Sequence, residues 1–320
     1  MKILVVGVNG FGKMHLSAIK DMEISIVERN KEVINDVMAK FDIKKVYDDY
    51  NTALKGHFDI VDLTVPHYLH KEMAIRAMEN KNNVIIEKPI ATTVEDAEEM
   101  IKASEKYGVK FMVSDQYFFD PSVRKAMELI KNNEIGNVNT VIVRDQRFFT
   151  HEGWRQTQKY MGGGSLIDGG IHFIDTLLNF GGEYSDIYSS SNHSGSIIEG
   201  EDNTSALFKF KNGITGLFFY SWSYANPPEV PAFEIIGNKG SIYEDCKSRT
   251  SWNVDDKIRT VYGDLIMNGK KMNIEKYDVY SKEIEEFKNS VENNTDVPFK
   301  PELALRDLKA VLTIYKNSLN

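Results

Sequence analysis

The sequence predicts an α/β fold: a doubly wound parallel sheet first, then an α+β domain with a large, mostly antiparallel open sheet. Over the first 120 residues, short apolar runs alternate with amphipathic helical stretches. The composition then shifts towards strands joined by turns. A length of 320 residues with 42% hydrophobic residues allows two cores. We therefore expect two domains, at residues 1–120 and 121–320.

The elements of the first domain follow from apolar runs of strand length with helical periodicity between them. Strands are expected at 2–6, 24–27, 60–65, 84–87 and 110–114, and helices include 70–79 and 94–107. Because buried strands alternate with helices, the sheet is expected to be parallel.

The second domain is expected to begin with a helix after Asp120 and Pro121 that runs through residue 130. A long β pattern at 138–149 follows. Further strands are expected at 204–210, 215–220, 233–236 and 241–243, with turns at 211–213 and 238–240, and closing helices at 281–291 and 301–319. The short turns between strands favour antiparallel pairing.

The composition argues against several classes of protein. A net charge of −8 without a basic run argues against a nucleic-acid partner. Cys246 is the only cysteine, so neither a disulfide framework nor a paired-cysteine metal site is expected. The opening MKILVVGVNGFG has an apolar run too short for a signal peptide or a membrane span. We expect a cytoplasmic protein with no membrane partner.

A glycine-rich turn, GVNGFG, follows the first strand. Gly7, Gly10 and Gly12 would let the backbone approach a pyrophosphate, whose charge then meets the N-terminus of the next helix. Asn9 replaces the middle glycine of the GxGxxG fingerprint, and asparagine tolerates a left-handed backbone better than most residues. Together with Phe11, these residues form the predicted phosphate loop of a dinucleotide site.

Glu28 and Arg29 bear on which dinucleotide would bind. Glu28 ends the second strand, 21 residues after Gly7, where an acid can accept hydrogen bonds from the ribose 2′-hydroxyl. This position favours NAD. Arg29 could instead clamp a 2′-phosphate or stack on adenine, which leaves NADP open. A solvated strand end is the alternative interpretation.

Two further motifs carry chemistry. VIIEKPI ends a predicted strand with Glu87 and Lys88, at the carboxyl edge where open α/β sheets bind ligands. In GGGSLIDGGIHFID, Asp168 and His172 are four residues apart on a helical pattern and therefore share a face, which Asp175 borders.

The glycines between Asp168 and His172 are unusual in a helix. Gly169 and Gly170 cost about 1 kcal/mol each relative to alanine in a helix interior. Room for a cofactor ring or a sugar to approach is the expected compensation. A capped helix with hydrogen-bonded Asp and His is the purely structural alternative.

With EKP followed about eighty residues later by DxxxH, the chain resembles the Gfo/Idh/MocA family of nicotinamide-dependent sugar and polyol oxidoreductases. The resemblance extends over nearly the whole chain, through VGVNGFGKMH, DIVDLTVPHYLHKEMAIRAM, GGGSLIDGGIHFID and LKAVLTIYKNSL. It implies a Rossmann domain that binds NAD, and a second domain for a small carbohydrate or polyol substrate. It also implies a homodimer or homotetramer through the second sheet.

The resemblance implies catalytic roles for three residues. His172 would accept the hydroxyl proton, Lys88 would stabilise the developing alkoxide, and Asp168 would orient the imidazole or the substrate. The order of proton movement between Lys88 and His172 stays open. In relatives the bond between Lys and Pro of EKP is often cis, which is expected for Lys88 and Pro89.

Other matched residues would bind the cofactor or substrate. Thr64, Pro66 and His70 would line the nicotinamide ribose and close the phosphate side, and Gln116 would lie near the nicotinamide. No metal is expected, because no cysteine or third histidine lies near His67 and His70 in the sequence.

Trp154 and Arg155 match an element that contacts substrate in the family, with a surface arginine packed on tryptophan as the alternative. Phe118 stands where relatives commonly carry an arginine, so the substrate preference is expected to differ. The aromatic run at 217–224 could stack on a sugar or, as we favour, lie in a dimer interface.

Two other functions remain open from the sequence. One is a glycosidase-like enzyme of the same family that retains NAD and uses a transient oxidation to permit elimination. The other is a ligand sensor without catalysis, against which the intact Lys88 and His172 argue.

Overall fold

A computed structural model describes residues 1–250 and 253–318 of the chain. The chain forms two compact units. The first contains residues 1–115, 253–257 and 280–305, and the second contains the other described residues. Residues 280–305, which the sequence analysis placed in the second domain, thus belong to the first unit.

The first unit contains a six-stranded parallel sheet. Its strands are β1 (Lys2–Val6), β2 (Glu23–Val27), β3 (Ile43–Tyr47), β4 (Ile60–Leu63), β5 (Asn83–Glu87) and β6 (Phe111–Ser114). Its helices include α1 (Phe11–Ala18), α2 (Lys31–Lys40), α3 (Tyr50–Leu54), α4 (His70–Glu79) and α5 (Val94–Tyr107). The strand order is β3-β2-β1-β4-β5-β6, so the order reverses between β1 and β4. A ligand crevice is expected at the carboxyl ends of those two strands.

Local signals explain these elements. Residues 3–6 of β1 and all of β4 are buried, as expected for central strands covered on both faces. Asn30 caps α2 and Thr93 caps α5 with side-chain hydrogen bonds to the first turn. Gly108 ends α5 in the left-handed conformation.

The second unit contains an eight-stranded, mostly antiparallel sheet. Its strands are β7 (Val138–Gln146), β8 (Tyr184–Asn192), β9 (Asn203–Phe210), β10 (Thr215–Ser221), β11 (Phe233–Gly237), β12 (Ser241–Asp245), β13 (Asp264–Met267) and β14 (Lys270–Lys271). The order is β14-β13-β12-β11-β7-β10-β9-β8, and β7 with β10 is the parallel pair among these strands. The predicted fold class is confirmed.

Five further helices complete the described chain. They are α6 (Pro121–Lys131), α7 (Gln158–Met161), α8 (Ile171–Gly181), α9 (Val279–Glu292) and α10 (Pro301–Ser318). The core of the second unit lies between α8 and one face of the sheet, where Val141, Val143 and Phe218 are buried. The last residue of the predicted closing helix, residue 319, lies outside the described residues.

The sequence analysis missed four strands, β3, β8, β13 and β14. β13 is buried at Asp264 and Leu265, and both residues of β14 are exposed. The other two are poorly buried. In β3 no residue is fully buried, and in β8 only Ile187 is. Both therefore lack the apolar run on which the prediction depended. β7 ends at Gln146 rather than at the predicted 149, and Phe148 makes only an isolated bridge to Ser223.

Among the described residues, no helix combines the length and the apolar character needed to cross a membrane.

Candidate functional site

The glycine loop of the first unit is packed too closely for side chains. A Cβ atom on Gly7 would lie 2.5 Å from the carbonyl oxygen of Thr64, and one on Gly12 would lie 2.3 Å from the carbonyl oxygen of Gly7. The Thr64 hydroxyl donates to the carbonyls of Val6 and Gly7, at 2.9 and 2.8 Å. The loop is thus held against the end of β4, at the point where the strand order reverses.

The loop leads into α1, whose first turn has no side-chain cap. Gly10 is the N-cap, with φ of 74°, and has no side chain that could accept from the first turn. Phe11 is 36% exposed and Asn9 is exposed. Asn9 is not among the residues with positive φ, so its expected tolerance for a left-handed backbone is not used here.

Glu28 and Arg29 follow β2 directly and are both fixed. Oε1 of Glu28 accepts from the backbone N–H groups of Arg29 and Asn30, at 2.8 and 2.9 Å. Nε of Arg29 donates to the carbonyl oxygen of Asp48 at 2.6 Å. The carboxylate of Glu28 therefore has a defined position at the carboxyl end of the strand.

Lys88 follows β5, and the Lys88–Pro89 peptide bond is cis, as the resemblance implied. Beneath this bend lies His70, fully buried, with Nδ1 2.8 Å from the carbonyl oxygen of Pro89 and Nε2 3.0 Å from that of Val65. Burial, followed by the neighbouring His67, lowers the pKa of His70 to about 4. The neutral ring has one N–H group and donates to only one of these carbonyls, but it lies in contact with both the segment after β4 and the segment after β5.

Of the other residues predicted to bind cofactor, Thr64 and Pro66 lie in the segment that follows β4, and Gln116 lies at the start of the second unit and is buried. The Glu87 side chain is also buried, and its Oε1 lies 3.0 Å from Nε2 of His15. Its partner in the structure is therefore a side chain that the sequence analysis did not single out.

In the second unit, Asp168 lies in a π-helical turn, Leu166–Gly170, that leads into α8. Such turns occur often at functional sites. Its Oδ2 accepts from Nε of Arg155 at 3.0 Å and lies 3.4 Å from Nε2 of His151. The Arg155 guanidinium in turn lies 4.3 Å from the ring centroid of Trp154. Asp168, which is 3% exposed, is thus a buried carboxylate with a cationic partner.

His172 is one turn further along and also buried. Its imidazole stacks on the ring of Tyr117, with centroids 4.2 Å apart and an interplanar angle of 10°. Tyr117 packs edge-on against Phe173 and Tyr262. The imidazole plane is therefore fixed by an aromatic neighbour from the segment before α6.

The expected reason for the two glycines of this segment is wrong. A Cβ on Gly169 would lie 2.0 Å from the Tyr220 hydroxyl, and one on Gly170 would lie 3.0 Å from the Tyr220 ring. The glycines therefore make room for Tyr220 of β10, whose hydroxyl accepts from Nε1 of Trp222 at 2.7 Å. Within the second unit, the side of the turn with these glycines faces protein.

The loop before Asp168 is anchored by Glu201. Its Oε1 accepts from the backbone N–H of Leu166 at 2.8 Å and from the Tyr315 hydroxyl at 3.0 Å. Asp175, at the far end of the shared face, accepts from Arg306 at 2.8 Å. The turn and helix that carry the candidate site are thus tied to the segment before β9 and to α10.

Three functional candidates were missed by sequence reasoning: Tyr117, His151 and His15. His15 ends the stretch VGVNGFGKMH, but its partners are 47 and 72 residues away in the chain, and Tyr117 and His151 lie outside the quoted motifs, so no local pattern showed their contacts. In the part of the chain that the structure describes, no group of three or more His, Cys, Asp or Glu side chains could hold a metal ion.

Comparison with known proteins agrees with these features. A model of the GFO/IDH/MocA oxidoreductase family, NAD-binding Rossmann fold, matches residues 1–115, and one of the GFO/IDH/MocA C-terminal domain matches residues 123–243. The chain belongs to this family. It is thus a GFO/IDH/MocA oxidoreductase with a Rossmann domain that binds NAD(P).

Curated relatives and a solved structure give the range of similarity. The 2,7-anhydro-N-acetylneuraminate hydratase of Escherichia coli is 34% identical over 203 residues, 59% of this chain and 52% of that protein. Levoglucosan dehydrogenase of Pseudarthrobacter phenanthrenivorans is 25% identical over 258 residues, 72% of this chain and 66% of that protein. The match spans about half of the first relative and about two thirds of the second.

An oxidoreductase of Thermotoga maritima has a crystal structure that superposes with a TM-score of 0.87 at 26% identity. The superposition covers 99% of this chain and 96% of that one. The similarity in fold therefore extends over the whole chain.

Proposed function

We propose that this GFO/IDH/MocA protein transfers hydride between a nicotinamide dinucleotide and a hydroxyl or carbonyl carbon of a sugar, a sugar derivative or a cyclic polyol. The observation that supports this most is the setting of His172: its ring is stacked on Tyr117, and its helix follows the turn in which Arg155 holds Asp168. Levoglucosan dehydrogenase, among the relatives, supports a sugar-like substrate.

The first unit fits a dinucleotide. The loop has no room for a Cβ at Gly7 or Gly12, and α1 begins without a side-chain cap, as close approach of a pyrophosphate requires. The residues proposed to hold the cofactor are Gly7, Asn9, Gly10, Phe11, Gly12, Glu28, Arg29, Thr64, Pro66, His70, Glu87, Lys88 and Gln116. The cofactor, when bound, supplies the hydride acceptor or donor at its nicotinamide ring.

The chain's own residues supply acid–base chemistry and orientation. His172 accepts the hydroxyl proton through its imidazole, which is the commonest general base in enzymes. Lys88 stabilises the negative charge that develops on the substrate oxygen. Asp168 keeps its position through the hydrogen bond from Arg155, whose guanidinium packs on Trp154. In this proposal Asp168, Arg155 and Trp154 contact the substrate.

The geometry at the end of β2 supports NAD over NADP. The fixed carboxylate of Glu28 suits a ribose 2′-hydroxyl and would repel a 2′-phosphate. Arg29 is engaged with the Asp48 carbonyl through Nε. We expect Glu28→Ala to weaken NADH binding by about tenfold or more, because a hydrogen bond to a charged group contributes about 1.5–3 kcal/mol. NADPH should bind no more weakly, and an unchanged preference would contradict the assignment.

The test of the proposed function begins with fluorescence titrations of the nucleotide-free protein with NADH and NADPH. A panel of sugars and polyols with NAD is then followed by absorbance of NADH. His172→Ala should lower kcat by about 100-fold or more while NADH affinity stays nearly unchanged. His193→Ala, on an exposed loop of the same unit, is the matched control and should retain wild-type turnover. Wild-type rates in His172→Ala would exclude His172 as the base.

A second candidate is an enzyme of the same family that retains its NAD and catalyses a reaction without net oxidation. The hydratase among the relatives favours it. The two candidates differ in whether added NAD is consumed, since the second regenerates its cofactor in each cycle. Product formation without NADH accumulation would select the second.

We further propose that the open face of the second sheet is a homo-oligomer interface. Leu217 and Tyr188 are 40% and 57% exposed there, beside a groove of about 600 Å³ that Phe219 also lines. Alternate residues of β10, such as Phe218, point into the core instead. Light scattering should show a dimer or tetramer for the wild type and a smaller species for Leu217→Asp. Equal masses would contradict this interface.

A further inference from the structure

His15 lies in the middle of a buried ionisable cluster in the first unit. Its Nδ1 is 2.9 and 3.1 Å from the two carboxylate oxygens of Asp62, and its Nε2 is 3.0 Å from Oε1 of Glu87. The side chains of His15 and Asp62 are fully buried, and that of Glu87 is 9% exposed. The imidazole therefore links α1, which follows the glycine loop, to the central strands β4 and β5.

The contacts indicate a protonated imidazole. A neutral imidazole has one N–H group, whereas both ring nitrogens of His15 face carboxylate oxygens. Burial opposes the charge, but the carboxylate of Asp62, and then that of Glu87, raises the pKa of His15 well above its ordinary value. The bridge thus consists of one imidazolium between two acids.

Three further polar side chains face this bridge. Glu283 of α9 is one of them and is fully buried. Burial raises the pKa of Glu283 to about 8, so it holds a proton at neutral pH. Ser114 and Asp115, at the end of β6, are its other polar neighbours, and the ring of Tyr280 lies 6.3 Å from that of His15. Protonated Glu283 therefore adds no third negative charge to compete for His15.

Stability alone is a weak explanation for such a bridge. Replacing a buried ion pair by packed apolar side chains is often neutral or stabilising, because burying the charges costs so much free energy. What apolar side chains cannot provide is two directed, charge-assisted hydrogen bonds that define the position of a strand end. Here that strand end is β5, whose last residue, Glu87, directly precedes Lys88.

We propose that His15 is a positioning residue for Lys88: by holding Glu87 and Asp62 together, it fixes the carboxyl end of β5 and with it the backbone from which Lys88 projects. This inference rests on the proposed role of Lys88 in the reaction. His15 acts through Glu87 and contacts neither substrate nor cofactor.

Hydrogen exchange measured by mass spectrometry tests the structural part without any substrate. In the full-length, ligand-free protein, His15→Gln should speed exchange of peptides containing residues 86–93 by about tenfold or more, with peptides of the second unit unchanged. The matched control is Asn82→Ala at the opposite end of β5, where Asn82 donates to Ala77 and accepts from Phe58. The control should lower the melting temperature and leave those peptides unchanged. Unchanged exchange at 86–93 in His15→Gln would overturn the proposal.

Turnover of the best substrate in the panel tests the functional part. His15→Gln and the isosteric Asp62→Asn should each lower kcat by about tenfold or more, with NADH affinity nearly unchanged. The kcat of the double variant should be close to that of the less active single variant, because either substitution alone already breaks the bridge. If His15→Gln does not fold, Asp62→Asn alone decides, because the amide keeps the side-chain volume and removes the negative charge that holds the imidazolium. A lower melting temperature with kcat within about twofold of the wild type would show a structural role only.

Lys88→Met separates this proposal from the proposed function. If Lys88→Met retains turnover, the role of Lys88 fails whatever the His15 variants do. If Lys88→Met is inactive and both bridge variants keep wild-type kcat, only the positioning role of His15 fails.

Discussion

Replacing Gly12 with alanine tests how closely the glycine loop is packed. The new Cβ would lie 2.3 Å from the carbonyl oxygen of Gly7 and 2.8 Å from Oγ1 of Thr64, both well inside van der Waals contact. The nearest atom belongs to the backbone, so the loop itself must move. Overpacking of this kind typically costs about 1–3 kcal/mol, a factor of about 5 to 150 in an equilibrium constant. Because the loop is the proposed pyrophosphate site, we expect much of this cost to appear in NADH affinity.

The assay combines NADH fluorescence titration with thermal unfolding of Gly12→Ala and of a matched control, Gly108→Ala. Gly108 ends α5 with φ of 66°, and its Cβ would meet nothing within 4 Å. The control should therefore lose about 1 kcal/mol of stability from left-handed strain and no NADH affinity. If Gly12→Ala bound NADH like the wild type, the proposed cofactor site would be refuted.

Three further perturbations test other parts of the molecule. The folded-state pKa of Glu283, about 8, lies above its ordinary value of 4.5, so its contribution to stability is complete at acidic pH and is lost as the pH rises from 4.5 to about 8. In thermal unfolding at several pH values, the melting temperature of Glu283→Gln should therefore rise relative to that of the wild type over this range. Parallel pH curves for the two proteins would contradict this. Gly169→Ala, whose Cβ would lie 2.0 Å from the Tyr220 hydroxyl, should lower the free energy of unfolding by about 1–3 kcal/mol in urea titrations, with partial recovery in a Tyr220→Phe background. Asp168→Asn should lower kcat by about tenfold or more with a smaller change in KM, and a change confined to KM would show that Asp168 binds substrate without orienting the reaction.

Much of the fold follows from local patterns. Apolar runs in the sequence predicted β1, β4 and β5, whose side chains are largely buried. The structure confirms these strands and the parallel sheet that they form. β3 and β8 could not be found in this way, because they expose most of their side chains and owe their strand conformation to pairing with a neighbour. Tertiary pairing, which no local window contains, decided these two elements.

The candidate site, like the fold, could be predicted only in part from the sequence. Gly7, Lys88 and His172 could be named from the sequence because each lies in a motif whose residue types and spacing suit a definite chemistry. Their proposed roles stay predictions that the variants above test. Gly169 shows the limit of such reasoning, since its neighbour proved to be Tyr220, more than fifty residues away in the chain.

The sequence by itself determined the element types, the glycine turn, and the acids, bases and cations available for chemistry, because these depend on residues close together in the chain. Only the tertiary structure decided which groups are partners. The bridge from His15 to Asp62 and Glu87 joins residues 47 and 72 positions apart. Burial then raises the pKa of Glu283, whereas the carboxylates of Asp62 and Glu87 raise the pKa of His15 against the effect of burial. Desolvation and the Coulomb interactions of buried charges depend on three-dimensional surroundings, and those exist only once the chain has folded.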